Sequence, residues 1–143
     1  MRRLCRSARS DDGQITVFVV VIVAAAVMFT GLVLDGGLAL AAKVRAIGEA
    51  QEAARQGAQA IDLDTYRTDG ALRLAPPKAR TLAQDYLAST TDTGDVTATE
   101  DTVTVTVTAH QHTQLLGLLG VRSLTVIGTG SAHPVRGITV PDP

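Results

Sequence analysis

The residues best suited to chemistry are three histidines in the last third of the chain. His110 and His112 are two positions apart, a spacing that places both imidazoles on one face of a β-strand, and His133 offers a third nitrogen ligand. A zinc site needs three or four converging ligands, so one close pair and a distant histidine make a weak zinc motif. We therefore predict solvated histidines at strand ends and no metal site.

Two further motifs fall short of the sites that they partly resemble. Gly128-Thr-Gly130-Ser lacks the lysine and the helix start of a phosphate-binding loop. Ser131-Ala-His133 lacks the flanking glycines of a nucleophile elbow, which reads G-x-S-x-G. Neither motif predicts phosphate binding or nucleophilic catalysis.

The acidic pairs Asp11-Asp12 and Glu100-Asp101 are neighbours in sequence, so their side chains point in different directions and do not form a catalytic pair. We predict that the chain is not an enzyme, because no group of residues meets the requirements of an active site. We also predict no cofactor and no small-molecule substrate. The formal net charge of −1 gives no reason to expect nucleic acid as a partner. The single cysteine, Cys5, excludes an intramolecular disulfide and is expected on the reduced, cytoplasmic side.

The element that organises the chain is the apolar run at residues 15–34, ITVFVVVIVAAAVMFTGLVL, which has no charge. As a helix, it would be about 30 Å long, the thickness of a bilayer's hydrocarbon core. A buried core helix is the alternative, but the rest of the chain is too small and polar to enclose it. Four basic residues precede the run, whereas only Lys43 and Arg45 follow it closely. This excess of basic residues on the N-terminal side predicts a cytoplasmic N-terminus. These topology residues are Arg2, Arg3, Arg6 and Arg9.

A cleavable signal peptide is the alternative to a signal anchor. Ala39-Leu40-Ala41 offers small residues at the −3 and −1 positions of a cleavage site after Ala41. The apolar run is longer than the 7–15 residues usual for the apolar region of a signal peptide. The sequence therefore favours an uncleaved anchor, and a secreted module that begins at Ala42 is kept as the alternative.

Helical spacing continues beyond the bilayer and predicts one helix over residues 14–61. Asp35, Gly36 and Gly37 are expected to break or soften it at the membrane exit, because each glycine costs about 1 kcal/mol relative to alanine. Either a hinge or the close approach of another helix would explain these glycines. Asp35 either ends the membrane segment at the headgroups or pairs with a neighbouring subunit inside the membrane.

Small residues recur every three or four positions along this extension, and we call them the small-residue stripe. Small side chains let helices approach closely. The stripe is expected to pack on the protein's own domain, on other chains, or on both. Its members are Ala39, Ala42, Ala46, Ala50, Ala53 and Gly57.

Residues 13–62 resemble the N-terminal region of TadE/TadG-like proteins of the tight-adherence (Tad) pilus, particularly short actinobacterial members. The likeness rests on Gly13-Gln14, the apolar run, GLVLDGG at residues 31–37 and AARQGAQAID at residues 53–62. It implies a membrane-anchored, pilin-like subunit that acts in pilus assembly or adhesion at the cell surface. Processed pilin-like members carry a glutamate at the fifth position after the cut. That position is Phe18 here, so the likeness does not extend to peptidase cleavage.

The remainder predicts a small domain with a second helix and three strands. Pro77 precedes a helix at residues 78–89, and the alternation of Val or Ala with Thr predicts strands around 96–99 and 103–109, joined at Glu100-Asp101. TVTVTVT is expected at the centre of the sheet, with an edge open to strand addition as the alternative.

The third strand is predicted at residues 123–132, where Gly128 and Gly130 suggest a bulge or a close contact. LLGLLG at residues 115–120 is expected to be a short helix or loop that plugs the core. An exposed partner site is the alternative for this leucine-rich segment.

Together these observations predict an α+β, pilin-like protein: a long N-terminal transmembrane helix that extends out of the membrane, then a small helix and a three-stranded antiparallel sheet. We predict a single-pass protein of the cell membrane whose partners are the membrane, other pilus or envelope proteins and further copies of itself. An anchored factor that never enters a filament is a third hypothesis. The predicted segments are a cytoplasmic basic tail at 1–14, a transmembrane helix at 15–34, an extramembrane helix extension at 35–62, a small extracytoplasmic α+β domain at 63–134 and an extended tail at 135–143.

Overall fold

A computed structural model describes residues 12–135 of the chain. The predicted fold class is confirmed: a long N-terminal helix and two shorter helices accompany an open, three-stranded antiparallel sheet. The topology arginines, Cys5 and nearly all of the predicted tail lie outside the described residues. The segment boundaries stay predictions.

Helix α1, Asp12–Ala58, contains 47 residues and is therefore about 70 Å long. In its N-terminal half, the large apolar side chains of the run are exposed. Its C-terminal half packs on the sheet and on α3. The predicted break is absent, because the backbone stays helical through Asp35, Gly36 and Gly37. Flexing of the helix at this point stays a prediction.

Helix α2, Leu63–Asp69, lies in a segment for which the sequence analysis predicted no helix. Asp62 begins it by accepting hydrogen bonds from the backbone N–H groups of Asp64, at 3.0 Å, and Thr65, at 3.2 Å. Gly70 ends it in the left-handed conformation, with φ 65°, which favours glycine.

Helix α3, Pro76–Ala88, confirms the predicted second helix, with prolines in its first turn where a missing N–H is tolerated. Its buried face, formed by Ala79, Ala83 and Leu87, packs on α1 and on the first strand. The two helices can approach this closely because the contact residues are small: a Cβ on Gly57 of α1 would lie only 2.9 Å from the carbonyl oxygen of Ala79.

The sheet consists of β1, Thr93–Ala98, β2, Val103–His112, and β3, Ser123–Ala132, in the order β1-β2-β3. The TVTVTVT strand is therefore central, as expected. The hairpin turn between β1 and β2 is closed by Thr99, whose N–H donates to the carbonyl of Thr102 at 2.9 Å. The alternation is confirmed too: the valines of β2 are fully buried beneath α1 and α3, whereas its threonines are half-buried on the other face.

The β2–β3 connection contains a 3₁₀ turn, Leu116–Leu119, that ends at Gly120 with φ 94°. A short helix or loop was predicted at these residues, but the place predicted for it, in the core, is wrong. It does not plug the core: Leu115 contacts Gly31 of α1, inside the apolar run.

Candidate functional site

The small-residue stripe is the face by which α1 packs on the protein's own sheet. Ala42, Ala46, Ala50 and Ala53 are at most 2% exposed, and Gly57 is buried as well. Ala39, nearest the apolar run, is half-buried. The stripe is thus occupied within the chain, which is the first of the two partners predicted for it.

Gly128 and Gly130 of β3 allow this helix to lie directly on the backbone of the sheet. A Cβ on Gly128 would lie 2.6 Å from the carbonyl oxygen of Ala46, and a Cβ on Gly130 would lie 2.6 Å from the Cα of Gln51. Any side chain at these two positions would therefore collide with the helix backbone. The close contact predicted for the two glycines is confirmed, and its partner is α1.

Asp35 is the buried acidic residue of α1, at 1% exposure. Its carboxylate accepts three backbone hydrogen bonds from the β2–β3 connection. The donors are the N–H groups of Gln114 at 2.7 Å, Leu115 at 3.0 Å and Leu116 at 2.7 Å. These donors precede and open the 3₁₀ turn, where helix geometry provides no acceptor for them. Asp35 therefore fastens the connection to the end of the apolar run.

This role of Asp35 differs from both roles predicted from the sequence. The carboxylate neither simply ends the segment nor needs a neighbouring subunit, because the same chain provides its three donors. A signal was present in the sequence: one acid at the end of an apolar run, and a leucine-rich turn whose N–H groups need an acceptor. Nothing in the sequence indicated that the two would meet.

On the N-terminal side of Asp35, the leucines of the turn and the apolar run of α1 line a groove of about 310 Å³. Leu115 and Leu116 are half-buried, whereas Leu118 is 85% exposed. The groove is lined almost wholly by carbon, from Ala24 to Gly31 on the helix side. Such a surface favours an apolar occupant.

A polar cluster lies where α1 meets the α3–β1 connection. Arg45 lies 3.6 Å from Glu49 and 3.6 Å from Asp92, each distance joining a guanidinium nitrogen to a carboxylate oxygen. Both carboxylates are largely buried, and one oxygen of each lacks a hydrogen bond. Arg45 thus pairs with one acid of its own helix, Glu49, and with Asp92, which joins α1 to the α3–β1 connection.

The histidines are not brought together as a metal site. His110 lies on the exposed face of the sheet with its Nδ1 3.1 Å from the hydroxyl oxygen of Thr125, while His112 and His133 are exposed at strand ends. Among residues 12–135, no group of three or more His, Cys, Asp or Glu side chains is placed to hold a metal ion.

In the described part of the chain, α1 is the one helix long and apolar enough to cross a membrane. Comparison with known proteins gave no matching family model, no matching curated protein and no matching solved structure. The resemblance to TadE/TadG-like proteins therefore depends on the residues quoted for it, and stays a prediction.

Proposed function

We propose that this protein is a membrane-anchored, pilin-like accessory subunit or assembly factor of a Tad-type pilus. It would act without catalysis, by helix packing and protein–protein contact outside the membrane. The observation that carries the proposal is the continuity of α1, which joins an exposed apolar half to a half packed on the sheet. Such a helix would join the outer domain to its own anchor without an intervening loop.

A contact surface for this role lies on the side of α1 that faces away from the sheet. Leu40 and Val44 are one helical turn apart and are 65% and 64% exposed, just beyond the predicted membrane exit. Because the small-residue stripe is buried within the chain, this outer face is the one left for a neighbouring helix. A second copy or another pilus protein would pack there.

The alternative, a secreted module released after Ala41, is less consistent with the contacts of Asp35. Cleavage at that point would remove the carboxylate from the three N–H groups of the β2–β3 connection. It would also remove the part of α1 against which the leucine-rich turn packs. Cleavage before Gln14 would leave all these contacts in place.

The first test is the mature N-terminus and membrane partition of a C-terminally tagged chain expressed in its own host. An intact N-terminus in the membrane pellet supports an anchored assembly factor, and a start at Gln14 supports a processed pilus subunit. A start at Ala42 in the soluble fraction would overturn both and leave the secreted module.

The second test identifies the partner by placing a photo-crosslinking amino acid at Val44. The matched control carries it at Leu63, which is 56% exposed on α2, away from α1's outer face. The proposal predicts a crosslink from position 44, and not from 63, to a second copy or to a pilus component identified by mass spectrometry. Equal labelling at both positions, or none at 44, would count against it.

A further inference from the structure

We propose that the β2–β3 connection is a second membrane contact, in which residues 115–118 enter the lipid layer beside α1 and bind acyl chains. We call these residues the leucine turn. The inference rests on the bilayer crossing of residues 15–34, which is the anchoring part of the proposed function.

The depth of the leucine turn follows from its contact with α1. A Cβ on Gly31 would lie 2.9 Å from the Cβ of Leu115, so the two residues are at the same level. Gly31 is four residues inside Asp35, which corresponds to about 6 Å along the helix axis. The groove beside the turn reaches Ala24, about 16 Å inside Asp35 by the same rise per residue. A bilayer that covers residues 15–34 therefore covers the groove.

Backbone groups are costly in lipid unless they are hydrogen-bonded within the protein, and most N–H groups of the leucine turn have such a partner. Asp35 accepts from the N–H groups of residues 114, 115 and 116. The N–H of Leu118 donates to the carbonyl of Leu115 at 3.1 Å, and the N–H of Gly120 donates to the carbonyl of Gly117 at 3.1 Å. Three of the four N–H groups of the leucine turn, those of residues 115, 116 and 118, are thus paired without water.

The side chains of the turn also suit a lipid surface. Leu118 projects from the turn at 85% exposure, which is unfavourable in water and favourable among acyl chains. No charged residue occurs from Thr113 to Val121. The next charge is Arg122, which is exposed at the foot of β3, where a basic side chain would meet lipid headgroups.

A second copy of this chain is the rival occupant of the groove. Lipid is favoured because the groove continues directly into the exposed apolar face of α1, at Val27 and Met28. That face contacts acyl chains along the rest of the run, so the lipid that covers the run also fills the groove.

The test measures the depth of single cysteines in vesicles of phosphatidylcholine and phosphatidylglycerol. Full-length Cys5→Ser protein carries Leu118→Cys, Ile22→Cys or Leu63→Cys, each labelled with the environment-sensitive dye NBD. Position 22 reports the anchor and position 63 reports the outer domain; both native side chains are exposed, as is that of Leu118. Quenching by lipids with a nitroxide on the acyl chain identifies contact with the hydrocarbon layer.

The proposal predicts blue-shifted, lipid-quenched emission at positions 118 and 22, and water-like emission at position 63. Water-like emission at 118 with a quenched label at 22 would overturn the second contact and leave the anchor intact. Water-like emission at both would overturn the anchor as well. Blue-shifted emission at 118 without lipid quenching, lost on dilution with excess lipid, would overturn it in favour of self-association.

Discussion

The carboxylate of Asp35 accepts a hydrogen bond from the backbone N–H of Leu116 at 2.7 Å, although 81 positions separate the two residues. The contact joins the end of the apolar run to the connection between the last two strands. It therefore links the predicted membrane anchor to the sheet through one buried acid.

Asp35→Asn is expected to loosen this connection. An amide has one acceptor oxygen in place of two, and its NH₂ group faces N–H donors, so at least one donor loses its partner. We expect hydrogen exchange at the amides of residues 114–116 to accelerate roughly tenfold or more in detergent micelles, as charge-assisted bonds are lost. Asp69→Asn, which removes an exposed carboxylate at the end of α2, is the matched control. Unchanged exchange in Asp35→Asn would show that these bonds contribute little.

Gly128→Ala is expected to destabilise the packing of α1 on the sheet. The added methyl group would overlap the backbone of Ala46, and no side-chain rotation relieves an overlap with backbone. We expect a loss of roughly 3 kcal/mol or more in the free energy of unfolding, measured by denaturant titration in micelles. Gly48→Ala is the control. Gly48 lies on α1, and a Cβ added there would have no neighbouring atom within 4 Å. That change should stabilise the helix by about 0.5–1 kcal/mol. Similar losses for both variants would contradict the close contact.

Arg45→Ala is expected to cost more stability than Arg55→Ala. Arg45 lies between Glu49 and Asp92, whose largely buried carboxylates would be left without a cation, whereas the pair of Arg55 with Glu52 is open to solvent. Because Arg45 is itself half-exposed, we expect a loss of only about 1 kcal/mol, against a few tenths for Arg55→Ala. Adding Asp92→Asn should recover part of the loss, and a purely additive double mutant would argue against the pairing.

Acid is expected to weaken the start of α2 through Asp62. Hydrogen bonds from the backbone N–H and the hydroxyl of Thr65 lower the pKa of Asp62 below its ordinary value. A carboxylate whose pKa is lower in the folded state stabilises the fold above its unfolded pKa, about 3.9, and loses this effect as pH falls through the folded value. The melting temperature of the wild type should therefore fall towards that of Asp62→Asn between pH 5 and pH 2.5. Because all other acids are common to both proteins, a constant difference across this range would contradict the role of Asp62.

The sequence was most informative where a pattern repeats along one element. The alternation of β2 predicted a central strand with buried valines, and the glycines of β3 predicted a close contact. Helix α2 was missed because it has only seven residues and no periodic apolar face. Asp62 is nevertheless a typical residue at the start of a helix, and Gly70 is a typical residue at the end of one.

The remaining features depend on contacts between distant segments, which periodicity does not encode. The leucine turn was expected in the core because its composition is apolar, yet its leucines lie beside the apolar run. The pairing of Asp35 with residues 114–116 likewise required the position of the turn to be known first. Both follow from the chain's topology, in which the β2–β3 connection returns to the helix at residues 31–35.

The order of the elements also fixes the order in which the protein is synthesised. The small-residue stripe of α1 is complete once the helix ends at Ala58. The strand β3, which covers it, ends about 70 residues later. At a translation rate of about 5–20 residues per second, the stripe stays uncovered for roughly 4–14 s after it is made. During that interval a neighbouring nascent chain would find the same surface that the mature fold hides. Faithful maturation therefore depends on β3 reaching α1 before another helix does.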